Sequence, residues 1–228
     1  GVGTSGGSFA FNVTENNWLG KGVNISTSID VSKERFVGGL SVTDPNYNFS
    51  GNSLTYHFEN TSNKKPDFGF SKHIFSTGIG TKFEQYKNIY LSPSLAFQYD
   101  NLKVDSTASD ALKKQKGTFS DLSFAYGVSV DNRDRVYAPT DGYISSFQQV
   151  LPIYADSPYL RNNFKFNKYK AITKDAIGSF RFYTASINGL NDKDVRISKR
   201  LHLPSNNLRG FERGKVGPKD GTDYVGGN

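Results

Sequence analysis

The chain has 228 residues, with 28 Lys and Arg against 21 Asp and Glu for a net charge of +7, together with 23 Gly, 18 Phe, 13 Tyr and no Cys or Met. Its length suits one large domain or two small ones. The lack of Cys excludes a disulfide framework and any thiolate-ligated zinc or iron–sulfur site, and His57, His73 and His202 are too scattered for a two-histidine helical metal motif, so no metal and no cofactor is expected. Hydrophobic residues make up 36% and charged residues 21%, and the missing apolar bulk has gone into Gly, Ser, Thr and Asn rather than into the charge that drives disorder. A chain without any Met is expected to be a piece of a longer one. No apolar run reaches the roughly 18 residues of a transmembrane helix, but barrel strands of about 10 residues with one apolar face escape hydropathy averaging.

Taken in order, the elements alternate with period two. Phe9, Phe11 and Val13 alternate with Ser8, Ala10, Asn12 and Thr14, and Val23, Ile25, Thr27, Ile29 and Val31 with Asn24, Ser26, Ser28 and Asp30. Leu54, Tyr56 and Phe58 repeat the pattern. Ile89, Leu91, Pro93, Leu95, Phe97 and Tyr99 carry it further, and Leu122, Phe124, Tyr126, Val128 and Val130 do so opposite Ser123, Ala125, Gly127 and Ser129. Weaker alternation predicts strands near 36–44, 68–80, 143–152, 163–173 and 177–188, which with a stub at the start makes about eleven strands. The one helical candidate is 109–116, with Ser109 as N-cap. Lys174 and Asp175 make a tight turn, whereas 101–117 and 189–225 are long polar connections predicted to leave the same edge of the sheet.

The pattern predicts an all-β antiparallel fold. A soluble sandwich with one wet face, acting as a binding module through its basic loops, has the same alternation. Strand length favours a transmembrane barrel, as does the reading that Trp18, Tyr90, Tyr99, Tyr126 and Tyr143 lie near strand ends. Catalytic constellations are absent: there is no Gly-x-Ser-x-Gly elbow and no P-loop, so no enzyme is expected. The glycine-rich opening precedes a strand and is read as a turn. The lysines at 64, 65, 113, 114 and 116 lack interleaved aromatics, which argues for a solvated surface and against nucleic acid.

Four segments carry more than periodicity. Leu208-Arg209-Gly210-Phe211, followed by Gly217-Pro218 and Val225-Gly226-Gly227-Asn228, resembles the Val-Arg-Gly-Phe/Tyr loop of the bacterial surface antigen family, with Leu208 in place of the usual Val. Asp131-Asn132-Arg133-Asp134 and Pro139-Thr140-Asp141-Gly142 resemble the family's turn between two barrel strands. Asn17-Trp18-Leu19-Gly20-Lys21-Gly22 and Ser41-Val42-Thr43-Asp44-Pro45 resemble an early turn and a strand exit of its BamA-like branch. The four occur in the family's order across essentially the whole chain.

The resemblance implies a fragment of a 16-stranded outer-membrane β-barrel, from the tail of strand 1 to the beginning of strand 12, open as given. The last five strands and the POTRA domains would lie outside it, and the loop 189–225 would fold into the lumen, with Arg209 pairing acidic residues on later strands. The implied function is assembly and insertion of other β-barrels into the bacterial outer membrane by edge-strand templating at a lateral gate. Implied partners are outer-membrane lipid or lipopolysaccharide, unfolded barrel clients and accessory lipoproteins. A TamA-like factor or a two-partner secretion pore is the alternative within the family. Trp18 alone also reads as an interfacial anchor, and residues 139–142 as a plain turn.

Overall fold

A computed structural model describes residues 2–3, 6–65, 70–106, 108, 110–196, 198–201, 216–220, 223–224 and 226–228. The strands are β1 (Val2–Gly3), β2 (Gly6–Trp18), β3 (Val23–Ser32), β4 (Arg35–Asp44), β5 (Ser53–Lys65), β6 (Phe70–Tyr86), β7 (Ile89–Leu91) and β8 (Ser94–Val104). After the short helix α1 (Asp110–Lys114) come β9 (Gly117–Asp131), β10 (Asp141–Ala155), β11 (Tyr159–Ala171), β12 (Ile177–Gly189), β13 (Lys219–Asp220) and β14 (Asp223–Tyr224). β1 to β12 form one antiparallel sheet whose spatial order follows the chain, and β13 and β14 pair separately.

β7 and β8 are one ribbon. Pro93 cannot donate to the ladder, but the flanking bonds from Ser92 N–H to the Gly127 carbonyl (2.9 Å) and from Thr81 N–H to the Pro93 carbonyl (3.0 Å) hold the register across it. The twelve strands are therefore eleven ribbons. Each runs on to the next in chain order, and β1 and β12 stand at the two ends without pairing each other, so the sheet is not closed. Among the described residues no second large sheet packs against it, which removes the sandwich reading.

Register assigns the faces. Phe9, Phe11 and Val13 oppose Val31, Ile29 and Thr27, and Leu95 and Phe97 oppose Phe124 and Leu122. These form an outer face, where Leu95 is 43% and Phe97 37% exposed. Aromatic pairs continue it along the later strands, with Tyr143 against Phe166 (5.9 Å between centroids) and Phe164 against Phe182 (6.2 Å). An apolar surface of this extent is not left to water. The inner face carries Ser94, Gln98, Asp100, Asp121 and Ser123, and Arg196 and Lys199 lie against it.

The aromatic placements expected from the sequence need correction. Tyr99 sits inside β8, because that ribbon runs on to Val104, and Tyr126 sits inside β9, as the centre of the alternation 122–130 already places it. Tyr90 opposes Glu84 and Ser129 on the inner face, with Lys82 over its ring. Trp18 does end its strand. A register shift between Glu15 and Trp18 sets it opposite Val23 and turns it to the outer face, which simple alternation would not do. The helix, Asp110–Lys114, stops short of 116, and Ser109, its expected N-cap, lies outside the described residues.

The two edges differ. The strand ends at 32 and 35, 65 and 70, 104 and 117, and 155 and 159, together with the end of β12, lie on one edge; the strand ends flanking 19–22, 45–52, 87–88, 132–140 and 172–176 lie on the other. The two long connections, 105–116 and the one after β12, thus share an edge. The motifs at 17–22, 41–45 and 131–142 share the opposite one.

Candidate functional site

The turn at 132–140 is built by side chains bonding backbone. Arg133 grips Asp131 with both arms, Nε to Oδ1 at 2.8 Å and a terminal nitrogen to Oδ2 at 2.7 Å, and that bond raises the Arg133 pKa. The Asp134 carboxylate accepts from the Thr140 hydroxyl (2.5 Å), the Thr140 N–H (3.0 Å) and the Asp141 N–H (3.2 Å). These bonds, the hydroxyl's first, hold its pKa at about 2. Pro139 precedes Thr140 in this loop, and Gly142 has φ 94°, with a Cβ there overlapping the Asn132 carbonyl oxygen. Only glycine fits.

The turn at 19–22 is similar in kind. Asn17 Oδ1 accepts from the Gly22 N–H at 2.7 Å, while Leu19 and Gly20 take φ of 54° and 71°. At the exit of β4, Asp44 Oδ1 accepts from the Asn46 N–H at 3.0 Å. Gly217 and Pro218 are exposed beside β13. Gly226 is buried, and Gly227 bridges Leu201 through two backbone bonds of 2.8 and 2.9 Å. Leu208, Arg209, Gly210 and Phe211 lie outside the described residues.

A charge cluster that no sequence motif marks lies on the inner face. Chain reversal after β12 begins at Asn191 and Asp192, both at positive φ, and a Cβ on Gly189 would overlap the Lys193 carbonyl oxygen. Val195 and Arg196 are then buried, Arg196 at 4% exposure. Arg196 reaches Asp100 of β8 at 3.5 Å and stacks on the Phe119 ring, 3.2 Å from its centroid. Lys72 of β6 approaches the same fully buried Asp100 carboxylate at 3.8 Å. Lys199 pairs Asp121 of β9 at 2.7 Å. Burial lowers the Arg196 pKa, and Asp100 and Asp121 oppose that shift.

Three cations thus share two carboxylates under the loop. In such a site each charge depends on its partners, and removing one typically costs about 3 to 5 kcal/mol. The backbone reinforces the fold-back, with Lys199 N–H bonded to the Arg196 carbonyl (2.8 Å) and Arg200 Nε to the Val195 carbonyl (3.1 Å). Chemically the arrangement can tether a loop; it offers no nucleophile beside a base. Among the described residues no group of three or more potential ligands could hold a metal ion. Sequence parity already places Asp100 and Asp121 on the polar faces of their strands. Their pairing with positions 196 and 199 has no local signal.

The model of the Omp85 superfamily domain matches residues 17–228. The chain belongs to the Omp85 superfamily. It is 25% identical to the human sorting and assembly machinery component 50 homolog over 99% of this chain and 49% of that protein, and 27% identical to a SAM50-like protein of Schizosaccharomyces pombe over 90% and 42%. The crystal structure of BamA from Haemophilus ducreyi lacking POTRA domains 1–3 shares the fold, with TM-score 0.79 and 20% identity over 98% of this chain and 48% of that one.

The chain spans about half the length of these relatives. It is part of a BamA- or SAM50-like outer-membrane barrel. The inner face is thus the lumen side and the outer face the lipid side. The relatives come from both eukaryotes and bacteria, so similarity alone does not choose the bacterial outer membrane.

Proposed function

We propose that this chain is the larger part of the barrel of a bacterial outer-membrane assembly factor, which folds and inserts other β-barrel proteins. The observation that carries this reading is the Omp85 superfamily match over residues 17–228. The BamA-like turns at 17–22 and 41–45 support the bacterial assignment. A client strand must pair its backbone before it enters lipid, and an open sheet edge provides that pairing. The remnant of the first strand, Gly1 to Thr4, carries small residues, which suits a seam that opens because such residues bury little cross-strand side-chain contact.

On this reading the loop after β12 stays in the lumen. Arg196 and Lys199 hold its first part, and Arg209 pairs carboxylates on strands beyond this chain. The clients are unfolded barrel proteins, and accessory lipoproteins bind outside the part described. The test is reconstitution of the full-length parent in liposomes with an unfolded client barrel. Client folding, read as heat-modifiable mobility on SDS gels, should accelerate relative to empty liposomes. A client that crosses into the liposome lumen without inserting would instead indicate a translocation pore.

A further inference from the structure

Across β5, β6 and β8 the outer face changes character row by row toward the edge where β5 and β8 end and β6 begins. Mid-sheet, Phe58, Thr77 and Phe97 lie abreast. Closer to that edge the row is Ser62, His73 and Asn101, and beyond it Lys64, Ser71 and Lys103. The first step is about 13 Å along the strands, across the intervening row of Asn60, Phe75 and Tyr99, and the second about 7 Å. Apolar surface therefore gives way first to hydrogen-bonding groups and then to two ammonium groups.

These last two rows surround a depression of about 350 Å³ on which Lys72 also borders, and no carboxylate lines it. A neighbouring depression of about 430 Å³ shares Lys64, Ser71 and Lys103; there Lys33 adds a cation, while Glu34 and Asp105 add carboxylates. Lys72 is engaged with Asp100 on the inner face. Over the two depressions Lys33, Lys64 and Lys103 outnumber Glu34 and Asp105 by one charge, and the Cα atoms of Lys64 and Lys103, which bound the depression without a carboxylate, flank Ser71 two strand spacings apart, about 10 Å. Two long, flexible side chains at that separation are able to reach one oxyanion between them, and Ser71 and Asn101 line the same depression.

We propose that this patch holds the phosphate of a membrane lipid headgroup, with the acyl chains lying down the face past Phe75 toward Phe97. The vertical order, cations above polar groups above aromatics, matches the order of phosphate, backbone and chain in a lipid. A soluble anion would need no apolar rows beneath it. The proposal rests on the membrane-barrel reading of the outer face.

The test uses the full-length parent purified in detergent and native mass spectrometry, with lipid A as the bis-phosphorylated probe and phosphatidylcholine as comparator. Wild type should retain lipid A in preference. The Lys64→Ala/Lys103→Ala pair should lose about tenfold or more of that retention, and Lys64→Arg/Lys103→Arg should keep it. The control Lys113→Ala/Lys114→Ala should match wild type. Heat-modifiable mobility checks that each variant is folded. Equal retention by wild type and the folded alanine pair, or loss in the arginine pair, would overturn the site. If wild type retained neither lipid, the membrane reading would fail and take the site with it.

Discussion

The two faces of β8 and β9 place opposite chemistry in opposite surroundings. Outward, Leu95, Phe97 and Leu122 stand exposed in register with one another; inward, Asp100 and Asp121 are buried beneath Arg196 and Lys199. In a protein surrounded by water the charged side chains would be outside and the leucines hidden. The inversion shows that lipid replaces water on one side, and that on the other the protein's own loop replaces it. Outer-face residues therefore depend on the solvent, and inner-face residues on their partners.

That distinction can be broken most severely from the inside. In the full-length parent, Asp100→Ala leaves Lys72 and Arg196 without their shared carboxylate and should destabilise the barrel by about 3 to 5 kcal/mol, read from urea unfolding in micelles. Adding Arg196→Met to Asp100→Ala should recover part of the loss, because it removes one of the stranded charges. An Asp100→Ala barrel as stable as wild type would mean that the cluster holds nothing.

A charge on the outer face should cost somewhat less. Leu95→Arg should reduce stability by about 2 to 4 kcal/mol, and Ser94→Arg, one residue away on the inner face, should be far better tolerated. A spin label at position 95 should report hydrocarbon and one at 94 water. Protection of position 95 by protein, without lipid contact, would remove the assignment of faces.

Smaller effects sharpen the comparison at the turn edge, where neither lipid nor the loop takes part. Gly142→Ala forces an alanine to φ near 94° against the Asn132 carbonyl and should cost on the order of 1 to 3 kcal/mol. The Asp134 carboxyl, held at about 2 against an ordinary 3.8, stabilises the turn fully above pH 4 and loses that contribution as pH falls toward 2. The Thr140 amide resonance followed through an acid titration should shift with a midpoint near 2. Titration at the ordinary value would show that the Thr140 bonds are not formed.

Much of the architecture is legible in the amino-acid order. Period-two alternation yields the ribbons and their faces because each strand residue points away from its neighbour whatever lies around it. The turn at 131–142 is legible because Asp, Thr, Pro and Gly act on backbone only a few residues away. The inward turn of Tyr90 follows the same parity, since it sits one step out of the apolar alternation of its ribbon. The outward turn of Trp18 is not legible, because a bulge there shifts parity without marking composition.

What the amino-acid order determined by itself was therefore whatever depends on near neighbours: class, number of ribbons, polar and apolar sides, and the shape of the turns. What the tertiary structure decided was which distant groups meet. Asp100, Asp121, Lys72, Arg196 and Lys199 come from three strands and a loop, and nothing local binds 196 to 100. Their meeting follows from the sheet's register and from the reversal that Gly189 permits after β12. A buried charge finds its counter-ion only once the sheet is assembled.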